Sequence, residues 1–542
     1  MTTRSIILSA PLLLLFAACA ESEEGETNLS NFSATANSGA SVGESSIGIS
    51  SVGTSESASA SASSTDGTDT DADTGVIDTD TDGTDSSTDG STDDTNSNTS
   101  GDTDTTTGNT SGDTDTTGDT DGTTGDTTGD TDTTGMEFPD DAIFVHGEDG
   151  LDSNPGTADE PKRTIQAGIN AAAELPGGTV YVAEGTYELD FQNNKYITLV
   201  DGVSLYGGYS ADDWELRNII DTPSVLVDKS AAGGSSSEPN RALDGGDDVG
   251  SDTIVDGFTI QGGTGKYSAA VRIHKSEPTF TNNTIIGGGA SGLTSYGAWI
   301  VDAEPTFSEN DIRAGTSAGL TRGYGVFMNN NGNALLDGNH VHGGGGGNYS
   351  TGIAAFTSSP MIYNNVLNGG SGTISVRGIE LSTSSATIYN NTVINDQPTN
   401  AMSVYVGPNS QPTIDNNILT LASYCIYESS SSSKSKSIRN NDLFCTNYAA
   451  RIGWSNKSHV DLAPMELDCK NGGGMASGNI KIEPTFVDIA KNDAHLLGDG
   501  GTYCDLSQGA ADRSMSFTLD RDRDERTAPW SIGAHELDGA CK

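Results

Sequence analysis

Residues 278–288 read PTFTNNTIIGG. The phrase returns as PTFSENDIRAG at 305–315, ALLDGNHVHGG at 334–344, PMIYNNVLNGG at 360–370, ATIYNNTVIND at 386–396 and PTIDNNILTLA at 412–422. A shorter copy, SIRNNDLFCTN, occupies 437–447. All align on one asparagine, Asn283, Asn310, Asn339, Asn365, Asn391, Asn417 and Asn441, at gaps of 27, 29, 26, 26, 26 and 24 residues. Three residues before each is an apolar side chain (Phe280, Phe307, Leu336, Ile362, Ile388, Ile414, Ile438), and two after it another (Ile285, Ile312, Val341, Leu367, Val393, Leu419, Leu443). A period this regular marks a chain whose repeats bury their apolar faces only by stacking on one another. Short β-rich runs divided by Asn and Gly make those repeats strands.

One coil per repeat follows, each strand pairing in parallel with its equivalent about 4.8 Å above. The apolar positions then form interior columns. The asparagines form a ladder at the bend between strands, tolerating a left-handed backbone and passing a side-chain hydrogen bond from coil to coil. Phe258 holds the same place in IVDGFTI, so the ladder starts one coil later. A second strand precedes the first apolar column. With Val271, Ala298, Val326, Ile353, Ile379, Val404 and Ile426 inward, its outward neighbours are Arg272, Trp299, Phe327, Ala354, Glu380, Tyr405 and Tyr427. Such a strip of rings flanked by charge suits the C–H faces and hydroxyls of an extended polysaccharide. A long loop or the C-terminal tail packed over the rings would explain it equally.

The repeat resembles the right-handed parallel β-helix superfamily, the pectate-lyase-like fold. The segment GEDGLDSNPGTADEPKRTIQAGINAAAELPGGTVYVAEGTYEL at 147–189 is similar to the beginning of secreted β-helix proteins of the DUF1565 type, where a short amphipathic helix covers the open end. Thr164 is its expected N-cap, and Ile165, Ile169 and Ala172 its apolar face. DGVSLYGGYSADDWELRN, VDGFTIQGG and the terminal DRDRDERTAPWSIGAHE also match that group, with His535 where the family carries Tyr. The resemblance implies an all-β solenoid with a capping helix over 136–542. It implies no single activity, because this fold hosts lyases, hydrolases, adhesins and surface proteins.

The N-terminal part has a different character. Arg4, an apolar run from Ile6 to Phe16 and the small Ala17 and Ala18 read as a secretory signal. Phe-Ala-Ala-Cys resembles a bacterial lipobox, which implies lipidation of Cys19, export to the outer membrane or cell surface, and a membrane attachment made by the lipid alone. From 20 to 135 there are 26 acidic residues and no Lys or Arg. Such a segment cannot bury enough apolar surface to order itself. It reads as a disordered acidic linker with a span of roughly 60 Å. Within it Asp78, Asp80, Asp82, Gly83 and Asp89 have calcium-loop spacing, which a Thr-Asp repeat generates without a site. Over the whole chain 76 acidic residues face 26 basic ones, a formal charge of −50, which excludes nucleic acid as a partner.

The chemistry is less explicit. Lyases of this fold combine a base with calcium-holding acids, and hydrolases cluster carboxylates. Arg272, His274 and Lys275 form a basic cluster resembling a lyase base region, with Glu277 and Asp302 as the calcium ligands it would need. The plain alternative is solvated turn residues. His340 and His342, either side of Val341, form a further metal-binding pair only if they face one ion. Past Cys19 the cysteines are Cys425, Cys445, Cys469, Cys504 and Cys541. In an exported chain the expected pairs are Cys425 with Cys445 and Cys469 with Cys504. The leading reading is a surface-tethered binder of extracellular polysaccharide or of a surface protein, without a complete catalytic set. The alternatives are a carbohydrate-active enzyme, foremost a calcium-dependent polysaccharide lyase, and a structural adhesin.

Overall fold

The computed structural model describes residues 138–289, 293–395, 397, 399–489, 493–498 and 503–537. Cys19, the acidic linker, its calcium-like string and Cys541 lie outside these residues.

The repeats wind into a parallel β-solenoid with three long sheets. The first sheet has 12 strands and runs from Ala142–Val145 to Met475–Ser477. The second has 11 and carries the strands Tyr267–His274, Thr294–Val301, Arg322–Asn329, Gly347–Phe356, Gly372–Ser382, Ala401–Val406 and Tyr424–Glu428. The third has 10 strands. Each coil contributes one strand to each sheet, which converts the period of the sequence into vertical columns. Phe280 pairs with Phe307, Leu336 with Ile362, and Ile388 with Ile414 in the first sheet. Ile285, Ile312, Val341, Leu367 and Val393 align in the third. All are fully buried. The Phe280 and Phe307 rings stack at 5.0 Å, worth about 0.5–1.5 kcal/mol beyond area burial.

The ladder is continuous. Asn283 donates from both its backbone N and Nδ2 to Asn310 Oδ1, at 2.9 and 3.0 Å, and each rung repeats this up to Asn441. Phe258 N donates to Asn283 Oδ1 at 2.9 Å, closing the bottom. The left-handed backbone sits one residue earlier than the sequence suggests. It falls at Asn282, Glu309, Gly338, Asn364, Asn390, Asn416 and Asn440. That residue turns the chain, which leaves the ladder Asn free to point inward. A further rung, Asn479, receives both donors of Asn441 at 3.1 Å.

Helix α1 (Ile165–Ala172) caps the lower end. Thr164 Oγ1 accepts from Ala167 N, and Ile165, Gly168, Ile169 and Ala172 face the core. Helix α2 (Leu462–Asn471) packs at the upper end through Met465 and Cys469. Cys425 and Cys445 are bridged, with Cα atoms 5.5 Å apart. Cys469 is a buried free thiol, which burial pushes up to about 12. Cys504 is disulfide-bonded to a partner outside the described residues. The expected 469–504 pair is therefore corrected: α2 buries Cys469 under the last coils, while Cys504 belongs to the tail.

That tail runs along the outside of the bend between the first and third sheets and reads the left-handed asparagines. Asn364 Nδ2 donates to Leu519 O, Asn390 Nδ2 to Ser531 O, and Asn416 Nδ2 to Ala511 O, at 3.0, 3.1 and 2.8 Å. Arg526, fully buried, donates to Asn364 Oδ1 at 2.9 Å and pairs with Glu536 at 3.1 Å.

Candidate functional site

The outward row of the second sheet is in register. Arg272, Trp299, Phe327, Ala354, Glu380, Tyr405 and Tyr427 pair in that order, and the row extends to Asp244 below and Arg451 above. Strict alternation would leave these side chains alone on the face. Instead each strand kinks at one small residue, Gly297, Gly325, Gly352, Gly378 or Ser403. A Cβ on Gly297, Gly325, Gly352 or Gly378 would lie 2.6–2.7 Å from the carbonyl of the next coil. The kink places a second outward row three residues upstream: Tyr296, Tyr324, Thr351, Arg377, Met402, Tyr424 and Tyr448.

Sequence reasoning missed this second row because it assumed a period of two; the regularly spaced glycines were the signal. The two rows cover one another. Trp299 is 5% exposed and Tyr405 9%, while Arg272, Phe327 and Tyr427 are half-buried. Tyr296 and Tyr324 stack at 5.7 Å, and Tyr324 meets Phe327 at 4.9 Å. Tyr405 and Tyr427 stack at 5.8 Å with 10° between planes, and Tyr424 stacks on Tyr448 at 4.7 Å. The described residues of the tail dock at the bend between the first and third sheets, not over the rings.

Between these aromatic groups the side chains shrink to Thr351 and Ala354. Polar groups gather at that step. Glu380 is paired with Arg377 and accepts from Thr351 Oγ1 at 3.3 Å. The Arg377 guanidinium lies 3.8 Å from the Tyr405 ring centroid, and Arg322 donates to the Tyr324 hydroxyl at 3.2 Å. Burial, reinforced by Glu380, pushes that hydroxyl up. Arg377 Nε and Ser375 Oγ, and Trp299 Nε1 two coils below the step, are buried without a protein hydrogen-bond partner. The step therefore groups an anionic acceptor and cations beside the half-buried Phe327 ring, a combination that suits a hydroxylated ring.

The basic cluster does not assemble as a unit. Arg272 is held by Asp244 at 3.1 Å, below Trp299, and His274 Nδ1 lies 3.1 Å from Asp247 Oδ1. Lys275 and Asp302 occupy equivalent left-handed turn positions on neighbouring coils, both exposed, and Glu277 lies exposed two residues beyond Lys275. Among the described residues neither Glu277 nor Asp302 belongs to a cluster of three potential ligands. His340 is buried where the tail's Ile489 and Ala494 approach, and His342 Nδ1 accepts from Gly344 N at 2.8 Å. Among the described residues the one cluster of three His, Cys or acidic ligands is His495, Asp522 and His535, on the tail. Sequence reasoning met His535 only as a replacement for Tyr.

No curated protein matches this sequence. Among solved structures, the Azotobacter vinelandii mannuronan C-5 epimerase AlgE4 A-module is similar at 16% identity over 57% of this chain and 90% of its own, TM-score 0.34. Pectate lyase Pel9A aligns at 11% identity over 73% and 96%, TM-score 0.31. The tailspike gp49 of Acinetobacter baumannii bacteriophage Fri1, a capsular polysaccharide depolymerase, aligns at 10% over 57% and 57%, TM-score 0.27. At these values the likeness carries no statement about chemistry. The family model for the right handed beta helix region matches residues 269–443, the coils that bear the ladder and the aromatic face, and the solenoid is a right-handed parallel β-helix.

Proposed function

We propose that this chain is an exported lipoprotein of the DUF1565-like kind, attached through Cys19 and held off the membrane by the acidic linker 20–135. Its domain, 136–542, binds an extended extracellular polysaccharide along the outer face of the second sheet. The observation that carries this reading is the pair of register-aligned rows that sets Tyr324 and Phe327 on one side of the Thr351/Ala354 step and Arg377, Glu380 and Tyr405 on the other. Sugar rings stack on such faces while their hydroxyls meet the acceptor and donors between them.

A glycan array probed with the mature chain tests it. Binding is expected, and Glu380→Gln is expected to weaken it about tenfold, the loss of one charge-assisted hydrogen bond. A blank array, or unchanged affinity in Glu380→Gln and Tyr427→Ala together, would overturn the assignment. Incubation with polyuronates and calcium, followed by ultraviolet absorbance for unsaturated products, separates binding from lyase turnover.

A further inference from the structure

The cluster on the tail lies apart from this face. His495 sits in the antiparallel hairpin of Phe486–Asp488 and Asp493–Leu496, while Asp522 and His535 come from the terminal segment. His495 Nε2 and His535 Nδ1 approach the same oxygen, Asp522 Oδ2, at 2.7 and 2.8 Å. The imidazole centroids are 3.9 Å apart. The other ring nitrogen of His495, Nδ1, is 2.6 Å from Asp493 Oδ1. Arg521 holds the second oxygen of Asp522 at 3.3 Å.

Both nitrogens of His495 face carboxylate oxygens, and Asp522 Oδ2 meets a nitrogen from each histidine. An imidazolium satisfies the two contacts of His495 by donating from both nitrogens, and a cation between His495 Nε2, His535 Nδ1 and Asp522 Oδ2 satisfies them by taking the place of the Nε2 proton. The His495 proton then stays on Nδ1, facing Asp493, the carboxylate–histidine–metal relay that orients ligating imidazoles. Ligand atoms around a four-coordinate zinc stand ~3.3 Å apart, given bonds of about 2.0–2.1 Å, so the two nitrogen–oxygen pairs need to open by about half an ångström, and all three ligand atoms already lie within 4.8 Å of one another.

The scaffold is already fixed. Asp520, 2% exposed, accepts from Asp522 N and Asp524 N through Oδ1 at 2.9 and 3.0 Å, and from Glu536 N through Oδ2 at 2.7 Å. One buried carboxylate thus positions both the Asp522 turn and the residue after His535. The cluster borders a cleft of about 710 Å³ lined by His495, Asp520, Asp522, Asp524, Glu525 and Glu536, which leaves room for water or a ligand at an open coordination position.

We propose that His495, Asp522 and His535 form a binding site for a divalent transition metal of the zinc class, with Asp493 as the carboxylate that orients His495. Nitrogen-rich ligation favours zinc, nickel or cobalt over calcium and magnesium, which prefer oxygen. The ion would join the hairpin to the terminal segment and so fasten the tail along the solenoid.

The test is isothermal titration of ZnCl2 into the mature chain after EDTA treatment, with CaCl2 in parallel. One saturable zinc per chain is expected, together with a rise in Tm. The His495→Ala variant, changed at an exposed side chain, is expected to bind zinc at least about tenfold more weakly, and Asp493→Asn about 10- to 100-fold more weakly. Absence of stoichiometric zinc binding by the parent chain overturns the site. So does zinc affinity unchanged in both variants, or calcium binding as tightly as zinc.

Discussion

Asn365 bonds to the coil on either side of its own. Its Oδ1 accepts from Asn339 N and Nδ2 at 2.8 and 3.0 Å, while its Nδ2 donates to Leu336 O, Tyr363 O and Asn391 Oδ1. Truncation would strand buried donors of Asn339 with no water to replace the acceptor. Asn365→Ala is therefore expected to lower the unfolding free energy by about 2–4 kcal/mol, read from urea denaturation. Asp442 is a buried group of the opposite kind. Its Oδ1 accepts from Ile482 N at 2.9 Å, but burial pushes the carboxyl up to about 7. The folded chain retains that proton between the ordinary carboxyl range near 4 and about 7, whereas the unfolded chain releases it. The contribution of this group to stability is thus greatest below about 4 and is lost as pH rises through this window. Asp442→Asn keeps an oxygen for Ile482 and removes the slope. The variant should exceed the parent by of order 2–4 kcal/mol at pH 8 and match it near pH 4, checked by urea unfolding at both values.

At the scale of elements, the kinked strands of the second sheet decide what the outer face presents. A Cβ on Gly378 would stand 2.3 Å from Val393 Cγ1 and 2.7 Å from Ser403 O. Gly378→Ala should cost about 1–3 kcal/mol through overpacking, and it should weaken glycan binding by shifting Arg377 and Glu380. Differential scanning fluorimetry and the array would report the two effects. The docked tail is a second such element. Arg526→Ala leaves Glu536 without its 3.1 Å partner and Asn364 Oδ1 without its donor. Breaking a buried pair of this kind costs about 3–5 kcal/mol. Limited proteolysis should then cut the tail first while the ladder coils stay protected, and equal resistance in parent and variant would contradict the docking argument. Alternation was legible within each strand, but the kink was not. The register of the sheet pairs was read correctly for the row at Arg272 and Trp299, yet the facing row at Tyr296 and Tyr324 required the backbone to break its period at Gly297 and Gly325.

At the scale of the molecule, 50 of the acidic residues and 25 of the basic ones lie in 136–542, so the domain as a whole repels anions. Arg272, Arg322, Arg377 and Arg451 nonetheless sit along one face, each with its guanidinium within 6 Å of an aromatic ring centroid. Affinity for an anionic polysaccharide should therefore fall as salt rises from 0.05 to about 0.5 M, because screening weakens attraction to this local cluster, whereas a neutral glycan should bind almost independently of salt. Titration calorimetry at the two ionic strengths distinguishes them. The sequence by itself determined the winding, the interior columns and the ladder from Asn283 to Asn441, because every coil repeats the same short-range pattern and pairs with its own copy. Asn479 escaped that pattern, since α2 stretches its gap to 38 residues. Only the tertiary structure decided the placement of the tail, the burial of Cys469 as a free thiol and the meeting of His495, Asp522 and His535. Those contacts occur once, between segments with no period in common, so no repetition in the chain announces them.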